Sequence, residues 1–443
     1  MLCALLLQAA ASLGPGPGDA APERGIPAWI RCTPTTIEVA GEDVRTVDNP
    51  LARALEEAGP GSFVHLDAGD YPPFTIGMDS GSPNDSKTSG GQPGLPIFVT
   101  GGGFTRIVGT GGDAIGIDQR SRNGYITFHG LTIVPGQRSG VLFFRQSGAV
   151  HRGYSFEDCH ILGTYDHTIG RGGKSKWGIS AHSVAEFRFV GVTAPARIQN
   201  IEKEHAFYIQ NHRGSVLIEN VQAFGLGRTF CQFTARTGEG RPGTGDITIR
   251  DCDVRDACVA RGDGFKGGSA FTFAGSLQGT ILLENNVYRA GFAPAFAKLT
   301  RPGDPYGTGA LVAWQEKRAG ANGRLVLRGN RFLFADGCGD RPVVSIGGCA
   351  LVDLEGVNEI RSGGAWPALA LDPLQNGALV SPRNGGVRVD PRTKLTGALT
   401  VEGKTRSLAE VSGRAEPPEA RPADAGGADD PPGESSGGSR RVR

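Results

Sequence analysis

The chain has 443 residues, 70 of them glycine, and its 46 Lys and Arg against 45 Asp and Glu give a formal net charge of +1. A charge this close to zero argues against a nucleic-acid partner and leaves no polybasic patch for a membrane surface. Glycine at about twice its average usage indicates a turn-dense chain, and no apolar run is long enough to span a membrane.

The two ends of the chain differ in composition from the rest. Residues 1–27 begin with an apolar run to Ser12 and continue as a Pro/Gly stretch, which predicts a signal peptide and linker although the usual basic start is missing. We therefore expect a secreted, periplasmic or cell-envelope protein. Residues 411–443 are Pro, Gly, Ala, Ser and charged residues, which predicts a disordered tail. The folded domain is expected over residues 28–410.

The eight Cys are scattered, without a CxxC motif or a metal-ligand spacing. Two pairings are open by position in the sequence, Cys252 with Cys258 and Cys338 with Cys349. For both, free thiols are our prediction, and the cysteines do not fix the cellular compartment.

One short pattern recurs along the chain: apolar-x-apolar-x, then Asp, Asn or Gly, then x-x-apolar. Period-2 alternation over four to six residues predicts half-buried strands. The central apolar residues follow each other at steps of 28, 33, 29, 31, 34 and 44 residues and are Phe128, Phe156, Phe189, Ile218, Ile249, Leu283 and Leu327. After each strand stands a residue that tolerates a left-handed corner: Gly130, Asp158, Gly191, Asn220, Asp251, Asn285 or Gly329. The residues before four of these corners, Glu219, Arg250, Glu284 and Arg328, predict a ladder of alternating charge.

A second class of strand lies between these segments, a small residue followed by apolar-x-apolar. It occurs at residues 178–182, 206–210, 270–274 and 310–314. Two strand classes per repeat, with no helical periodicity between them, exclude a βαβ sheet and a leucine-rich horseshoe. They predict a parallel β-solenoid in which each strand pairs with its counterpart one coil later.

Residues 63–360 resemble, in this pattern, the right-handed parallel β-helix superfamily of pectate-lyase-like proteins. Residues 46–76 resemble the N-terminal segment of that superfamily, with an amphipathic stretch at 51–58, a Gly-Pro-Gly turn and a strand at 63–71. The resemblance implies an all-β fold, a single-stranded right-handed parallel β-helix with a short N-terminal capping helix. The superfamily spans lyases, hydrolases, epimerases, esterases and adhesins, so the fold alone does not decide function.

Polar and titratable residues concentrate at the outward positions of the second strand class in three middle coils. They are Ser180, His182, Tyr208, Gln210, Gln232 and Thr234, with Lys176 and His205 just before these strands and His212 and Arg236 just after. Neighbouring coils lie ~4.8 Å apart, so this set would span roughly 10 Å, about two sugar residues. Phe144 and Trp314 would be stacking platforms at its ends. We therefore predict a monomer that binds an acidic or neutral polysaccharide on this face.

The residue types on this face suit proton abstraction at C5 of a uronate, which needs a neutraliser for the carboxylate, a base and an acid. Candidate neutralisers are Arg236, Gln232 and Lys176; candidate bases are His205 and His182; candidate acids are Tyr208 and Tyr165. Hydrolysis needs a carboxylate pair, and only Asp166 and Glu204 are near, so a glycoside hydrolase is disfavoured. No Asp/Glu cluster projects from these coils, so we expect no obligatory calcium and no other metal or cofactor.

A second resemblance concerns the stretch Tyr165-Asp166-His167 followed by His205-Ala206 and Phe. It resembles the mannuronan C5-epimerase and alginate-lyase branch, in which a Tyr, Asp and His motif in one coil works with a His-Gly-apolar strand start in a later coil. Here the motif's proline is missing and Ala206 replaces the glycine. The resemblance implies a polyuronate lyase or C5-epimerase with catalytic residues among His205, Tyr208, His182, Tyr165, Asp166 and His167. The alternative is a non-catalytic envelope or surface β-helix that binds glycan or protein.

Overall fold

The computed structural model describes most of the region between residues 27 and 410. The described residues are 27–78, 80–88, 90–118, 124–145, 150–164, 177–201, 204–235, 243–257, 268–291, 308–315, 323–339, 341–347, 351–364, 366–371, 387–389, 392–401, 404–408 and 410. The predicted signal peptide, all but one residue of its linker, and the predicted tail lie outside them. Five predicted site residues also lie outside: Tyr165, Asp166, His167, Lys176 and Arg236.

The described chain folds into three long sheets, which it visits in the fixed order A, B, C. Sheet A contains β1 (Trp29–Cys32), β2 (Thr36–Val39), β3 (Arg45–Thr46), β4 (Phe63–Leu66), β8 (Ile97–Thr100), β11 (Gly124–His129), β14 (His151–Glu157), β17 (Val184–Ala185), β18 (Phe187–Val190), β21 (Val216–Glu219), β24 (Ile247–Arg250), β27 (Thr280–Glu284), β30 (Arg324–Arg328), β33 (Leu351–Glu355) and β36 (Val387–Val389). Sheet B contains β5 (Gly69–Tyr71), β9 (Thr105–Val108), β12 (Thr132–Val134), β15 (His160–Leu162), β19 (Ala196–Ile201), β22 (Val221–Leu226), β25 (Asp253–Arg255), β28 (Val287–Ala290), β31 (Arg331–Phe334), β34 (Glu359–Arg361) and β37 (Lys394–Thr396). Sheet C contains β6 (Phe74–Ile76), β7 (Asp85–Ser86), β10 (Asp113–Ile117), β13 (Ser139–Phe143), β16 (Trp177–His182), β20 (Phe207–Gln210), β23 (Cys231–Ala235), β26 (Gly268–Gly275), β29 (Thr308–Gln315), β32 (Val344–Gly347), β35 (Leu369–Leu371), β38 (Leu399–Val401) and β39 (Lys404–Arg406).

Strands of successive coils pair in parallel, and the pairing confirms the predicted register in sheet A. Each of the seven repeat residues from Phe128 to Leu327 stands opposite the next one. The 44-residue step from Leu283 to Leu327 is therefore one coil that carries extra residues between its strands. Antiparallel pairs occur at the two ends of the described chain, among β1, β2 and β3 and between β38 and β39.

The structure has three sheets where the sequence pattern predicted two classes of strand. The recurring pattern runs across a corner, so that residues 126–133 divide into β11 and β12 on either side of Gly130, whose φ is +71°. Many sheet B strands have only three residues, too few to show a period of two by themselves. The third sheet was therefore missed because its strands are short and directly follow a corner.

The predicted corners and charge ladder are present with one exception. Six of the seven corner residues have a positive φ: Gly130, Asp158, Asn220, Asp251, Asn285 and Gly329. The prediction is wrong for Gly191, where a Cβ would lie 2.4 Å from the Ala194 carbonyl oxygen, so close packing and not a left-handed backbone requires the glycine. In the ladder, Arg250 pairs with Glu219 at 2.9 Å and Arg328 with Glu284 at 2.8 Å.

Among the described residues, buried apolar side chains from all three sheets form one cluster, and helix α1 (Pro50–Glu57) packs against the first coil. Asn49 caps α1 by accepting the backbone N–H of Ala52 at 3.1 Å, and Leu51 and Leu55 are fully buried. Cys252 and Cys338 are buried free thiols. No helix among the described residues is both long enough and apolar enough to cross a membrane.

Candidate functional site

The outward residues of sheet C line up as the sequence predicted. One row contains Leu142, Ser180, Tyr208, Gln232, Thr272 and Val312, and the second contains His182, Gln210, Thr234, Ala274 and Trp314. We call Ser180, His182, Tyr208, Gln210, Gln232 and Thr234 the polar face. Parallel pairing without a register shift brings these six side chains, from three consecutive strands, onto one surface. Trp314 has its predicted place in the second row, but its side chain lies outside the description.

Tyr208 and His205 form a stacked pair at the edge of the polar face. Their ring centroids lie 5.1 Å apart at an interplanar angle of 20°, because His205 stands just before β20 and Tyr208 is its second residue. Gln210 donates a hydrogen bond from its amide nitrogen to the Tyr208 hydroxyl. A donor at that oxygen offsets negative charge that develops there when the phenol gives up its proton.

His205 is held by residues of its own coil and the next one. Its Nδ1 lies 2.5 Å from the Thr229 hydroxyl oxygen, and its Nε2 lies 3.5 Å from a Glu204 carboxylate oxygen. Arg228 binds the same carboxylate at 2.7 Å. Burial, assisted by the nearby Arg228 charge, lowers the pKa of His205 to about 3, so the ring is neutral near pH 7.

Sequence reasoning missed Thr229 and Arg228 as members of this site. Phe207 pairs with Cys231, and the same offset places Glu204 opposite Arg228 and His205 opposite Thr229. The signal was therefore present in the repeat, since any residue one coil after a candidate is its neighbour. It was overlooked because only outward positions within the strands were compared.

The remaining polar-face residues differ in exposure. Ser180 and Gln210 are buried, whereas His182, Gln232 and Thr234 are partly exposed. The Thr234 hydroxyl oxygen is itself shielded from solvent and has no hydrogen-bond partner within the described part of the chain. A ligand that reaches sheet C would meet hydroxyl, amide and imidazole groups rather than a field of one charge.

The predicted substrate contact from His212 does not fit its position. The side chain is fully buried, and its Nε2 lies 3.2 Å from the Gly245 carbonyl oxygen. The ring packs edge-on against Phe233, and burial lowers its pKa to about 4. His212 thus belongs to the turn that leaves sheet C, because the chain bends inward directly after β20.

Phe144 lies at the N-terminal side of the polar face, where a stacking platform was predicted. The Arg138 guanidinium carbon stands over its ring, 5.6 Å from the centroid, and Arg138 donates hydrogen bonds to the Asp113 carboxylate from both Nε and Nη2. A Cβ on Gly116 would come within 3.0 Å of the Phe144 ring. The ring therefore lies against sheet C and is supported on one side by a cation.

Among the residues that the structure describes, no group of three or more His, Cys, Asp or Glu side chains is placed to hold a metal ion. Carboxylates near the polar face are engaged by arginines, Glu204 by Arg228 and Asp113 by Arg138. The expectation that calcium is not required stays a prediction.

The described chain is an all-β protein of long parallel sheets, an arrangement compatible with a β-solenoid. No protein-family model matches it, and no curated protein matches it at a significant level. Among solved structures, it is similar to an alginate lyase from Paenibacillus sp. strain FPU-7, with a TM-score of 0.46, 13% identity, and coverage of 74% of this chain and 95% of that one. It is also similar to ORF18 of Geobacillus virus E2, with a TM-score of 0.27, 11% identity, and coverage of 81% of this chain and 56% of that one. The geometry of sheet C therefore has to carry the assignment of function.

Proposed function

We propose that the chain closes into a right-handed, single-stranded parallel β-helix and that α1 caps its N-terminal end. The fixed order of the three sheets and the parallel pairing of successive coils support closure. Burial of Leu51 and Leu55 against the first coil supports the cap, since an uncovered coil would expose apolar interior. The proposal includes a secreted or cell-envelope monomer with residues 28–410 as its folded domain.

On this scaffold, the polar face binds a polysaccharide, and the protein acts as a polyuronate lyase or C5-epimerase. The observation that carries the proposal is the Tyr208–His205 stack with the Gln210 amide on the phenolic oxygen. This arrangement puts a proton-bearing hydroxyl and an imidazole side by side at the edge of the polar face. Hydroxyl and amide groups on the neighbouring coils, from Ser180 and Gln232, suit the hydroxyls of sugar residues on either side.

The chemistry begins with breakage of the C5–H bond of a uronate, whose proton passes to a base of the site. In a lyase, the electron pair forms a C4–C5 double bond as the C4–O bond breaks, and an acid protonates the leaving oxygen. In an epimerase, C5 takes a proton back from its opposite face. Both routes need groups that offset charge on the substrate carboxylate. Gln232, which lies one coil from Tyr208, is our candidate for this role, together with the predicted Lys176 and Arg236.

A non-catalytic glycan-binding protein is the second candidate, and the setting of His205 favours it. Only 4% of this residue is exposed, and both of its ring nitrogens face groups of the protein. A histidine in this position can hold neighbouring side chains of a binding surface as readily as it can transfer a proton. The two candidates differ in whether C5–H bonds break at all.

The deciding experiment incubates the protein with a panel of polyuronates in deuterated buffer. Ultraviolet absorbance of the conjugated product reports elimination, and deuterium at C5 of the remaining polymer reports epimerisation. We expect one of the two signals, and we expect Tyr208→Phe to lower turnover by at least about 10³-fold while polymer binding is retained. The control is Tyr125→Phe, a tyrosine of sheet A remote from the polar face.

Two outcomes would contradict the catalytic proposal. Turnover by Tyr208→Phe at the wild-type rate would remove Tyr208 from the reaction. Absence of both signals on every polymer, together with measurable binding, would leave the non-catalytic candidate.

A further inference from the structure

His205 is enclosed by three residues from two consecutive coils, Glu204, Arg228 and Thr229. Glu204 and His205 come from one coil, and Arg228 and Thr229 stand opposite them on the next. Backbone hydrogen bonds lock this alignment, with the Arg228 N–H donating to the Glu204 carbonyl at 3.1 Å and the Ala206 N–H donating to the Thr229 carbonyl at 3.0 Å. Thr229, like His205, is only 4% exposed. The positions of both ring nitrogens are therefore fixed relative to their partners.

The partners of the two nitrogens decide which of them carries the proton. The Nε2 atom faces a Glu204 oxygen at 3.5 Å, and a lone pair turned toward a carboxylate is repelled whereas an N–H is attracted. With the proton on Nε2, Nδ1 must accept, and the Thr229 hydroxyl at 2.5 Å is a donor for it. Arg228 keeps the Glu204 oxygen in place at 2.7 Å. The three contacts fit a neutral ring with its proton on Nε2, because the Thr229 hydroxyl can donate to Nδ1 whereas the Glu204 carboxylate can only accept.

We infer that His205 is a positioning residue, fixed as the neutral Nε2–H tautomer by Thr229 and Glu204, and that Tyr208 is the member of the stacked pair that transfers a proton. The inference rests on the proposed function and assigns different roles in it to His205 and Tyr208. Neither nitrogen of His205 offers a free lone pair to a substrate, whereas the Tyr208 ring is partly exposed on the polar face. His205 then acts by holding the Tyr208 ring in its stacked orientation.

The proton balance of an elimination follows from this division. Tyr208 gives its hydroxyl proton to the glycosidic oxygen as the C4–O bond breaks, and the electron pair of the C5–H bond becomes the C4–C5 double bond. The C5 proton passes to another group of the polar face, where His182 is the titratable side chain one coil away. The pKa of His205, lowered to about 3 by burial, is consistent with a ring that stays neutral throughout.

The tautomer is tested directly by nitrogen NMR on full-length protein labelled with ¹⁵N-histidine, with the His205→Gln variant assigning the signal. We expect a protonated Nε2 and an unprotonated Nδ1 at His205, with no titration between about pH 5 and about pH 8. An Nδ1–H tautomer, or a ring that titrates in this range, would overturn the inference. Because no substrate is needed, this result stands whether or not the protein turns over a polyuronate.

The division of roles is tested by kinetics on a polyuronate that the wild type converts. We expect Tyr208→Phe to lose at least about 10³-fold in kcat and His205→Gln, which keeps an N–H for Glu204, to lose no more than about 30-fold. Thr229→Val should lower kcat about 10-fold or more with KM within about twofold, and Thr229→Ser should recover most of that loss. Thr248→Val on sheet A is the unaffected control.

Equal losses in His205→Gln and Tyr208→Phe would make His205 a proton-transfer residue and defeat the inference. A wild type inactive on every polyuronate would count against the proposed function, while the NMR result would still decide the tautomer.

Discussion

Individual side chains secure the corners between sheets A and B, and Asp158 shows how. Its backbone has a φ of +51°, and its carboxylate accepts backbone N–H groups from Val192 at 2.5 Å and Thr193 at 3.1 Å. Burial by itself would raise the pKa of Asp158, but these donors and the Thr193 hydroxyl outweigh it and hold that pKa below its ordinary value. In its charged form, the Asp158 carboxylate therefore stabilises the turn at Val192 and Thr193, one coil later.

We predict that Asp158→Asn lowers the free energy of unfolding by about 1 kcal/mol at neutral pH, because charged acceptors form the stronger hydrogen bonds. A folded pKa below the unfolded one gives stability that is complete above about pH 3.9, the ordinary value for Asp. The advantage of the wild type should shrink as pH falls through the lower folded pKa. Urea unfolding at a series of pH values measures it.

The matched control is Asp251→Asn at an equivalent corner, with a φ of +56°. Its carboxylate oxygen accepts the Asn285 side-chain amide at 3.3 Å, a longer bond than those from Val192 and Thr193 to Asp158. We expect a change within about 0.5 kcal/mol. If the difference in the free energy of unfolding between the wild type and Asp158→Asn did not change with pH, the charge of Asp158 would not contribute to stability.

At the scale of elements, three consecutive coils toward the C-terminal end are joined by a buried asparagine ladder that the sequence pattern did not single out. Asn286, Asn330 and Asn358 follow the sheet A strands in consecutive coils and are each no more than 1% exposed. The Asn330 oxygen accepts both the backbone N–H and the side-chain amide of Asn286 at 3.0 Å. Its own amide donates to the Leu283 carbonyl at 2.8 Å. Each asparagine side chain thus forms hydrogen bonds to the coil before it.

We predict that Asn330→Leu lowers the free energy of unfolding by about 2–5 kcal/mol, since the change leaves several buried donors and acceptors without partners. Asn358→Leu at the end of the ladder should cost less. The midpoint of urea denaturation measures both. Asn285→Gly, at an exposed corner with a φ of +53°, is the control because glycine accepts that conformation. Equal losses at Asn330 and Asn285 would contradict a role for the buried ladder.

At the scale of the whole molecule, the pairing is between neighbouring coils. Apart from β6 with β7, the parallel pairs in sheets A, B and C join a strand to its counterpart in the coil before or after it. Stability in such an array is approximately a sum of coils and their interfaces. The candidate site follows the same rule, since the partners of His205 and Tyr208 come from their own coil and the next one.

We predict that excision of residues 247–280, one coil, leaves a protein that still folds cooperatively. Ile247 and Ile281 stand opposite each other, so β27 would pair with β21 in the original register, and the interfaces that hold His205 and Tyr208 would remain. Circular dichroism and thermal unfolding check this, with excision of half a coil, residues 247–263, as the control that breaks the register. Unfolding of the full-coil variant would show that stability depends on contacts beyond nearest neighbours.

The sequence alone determined the period, the strand register of sheet A and six of the seven predicted corners, because these are local patterns repeated along the chain. Alternation, a left-handed residue after each strand and an approximately fixed step predict stacked coils without knowledge of any distant contact. They also placed the outward residues of sheet C in the correct rows.

Only the tertiary structure decided which of these side chains are exposed and which are buried in the protein. His212 and His182 look alike in the sequence, yet His212 turns inward and is fully buried. The partners of His205, Thr229 and Arg228, become its neighbours only when two coils stack. The sequence pattern reports the direction of the backbone, whereas burial and hydrogen bonding depend on what the next coil places alongside.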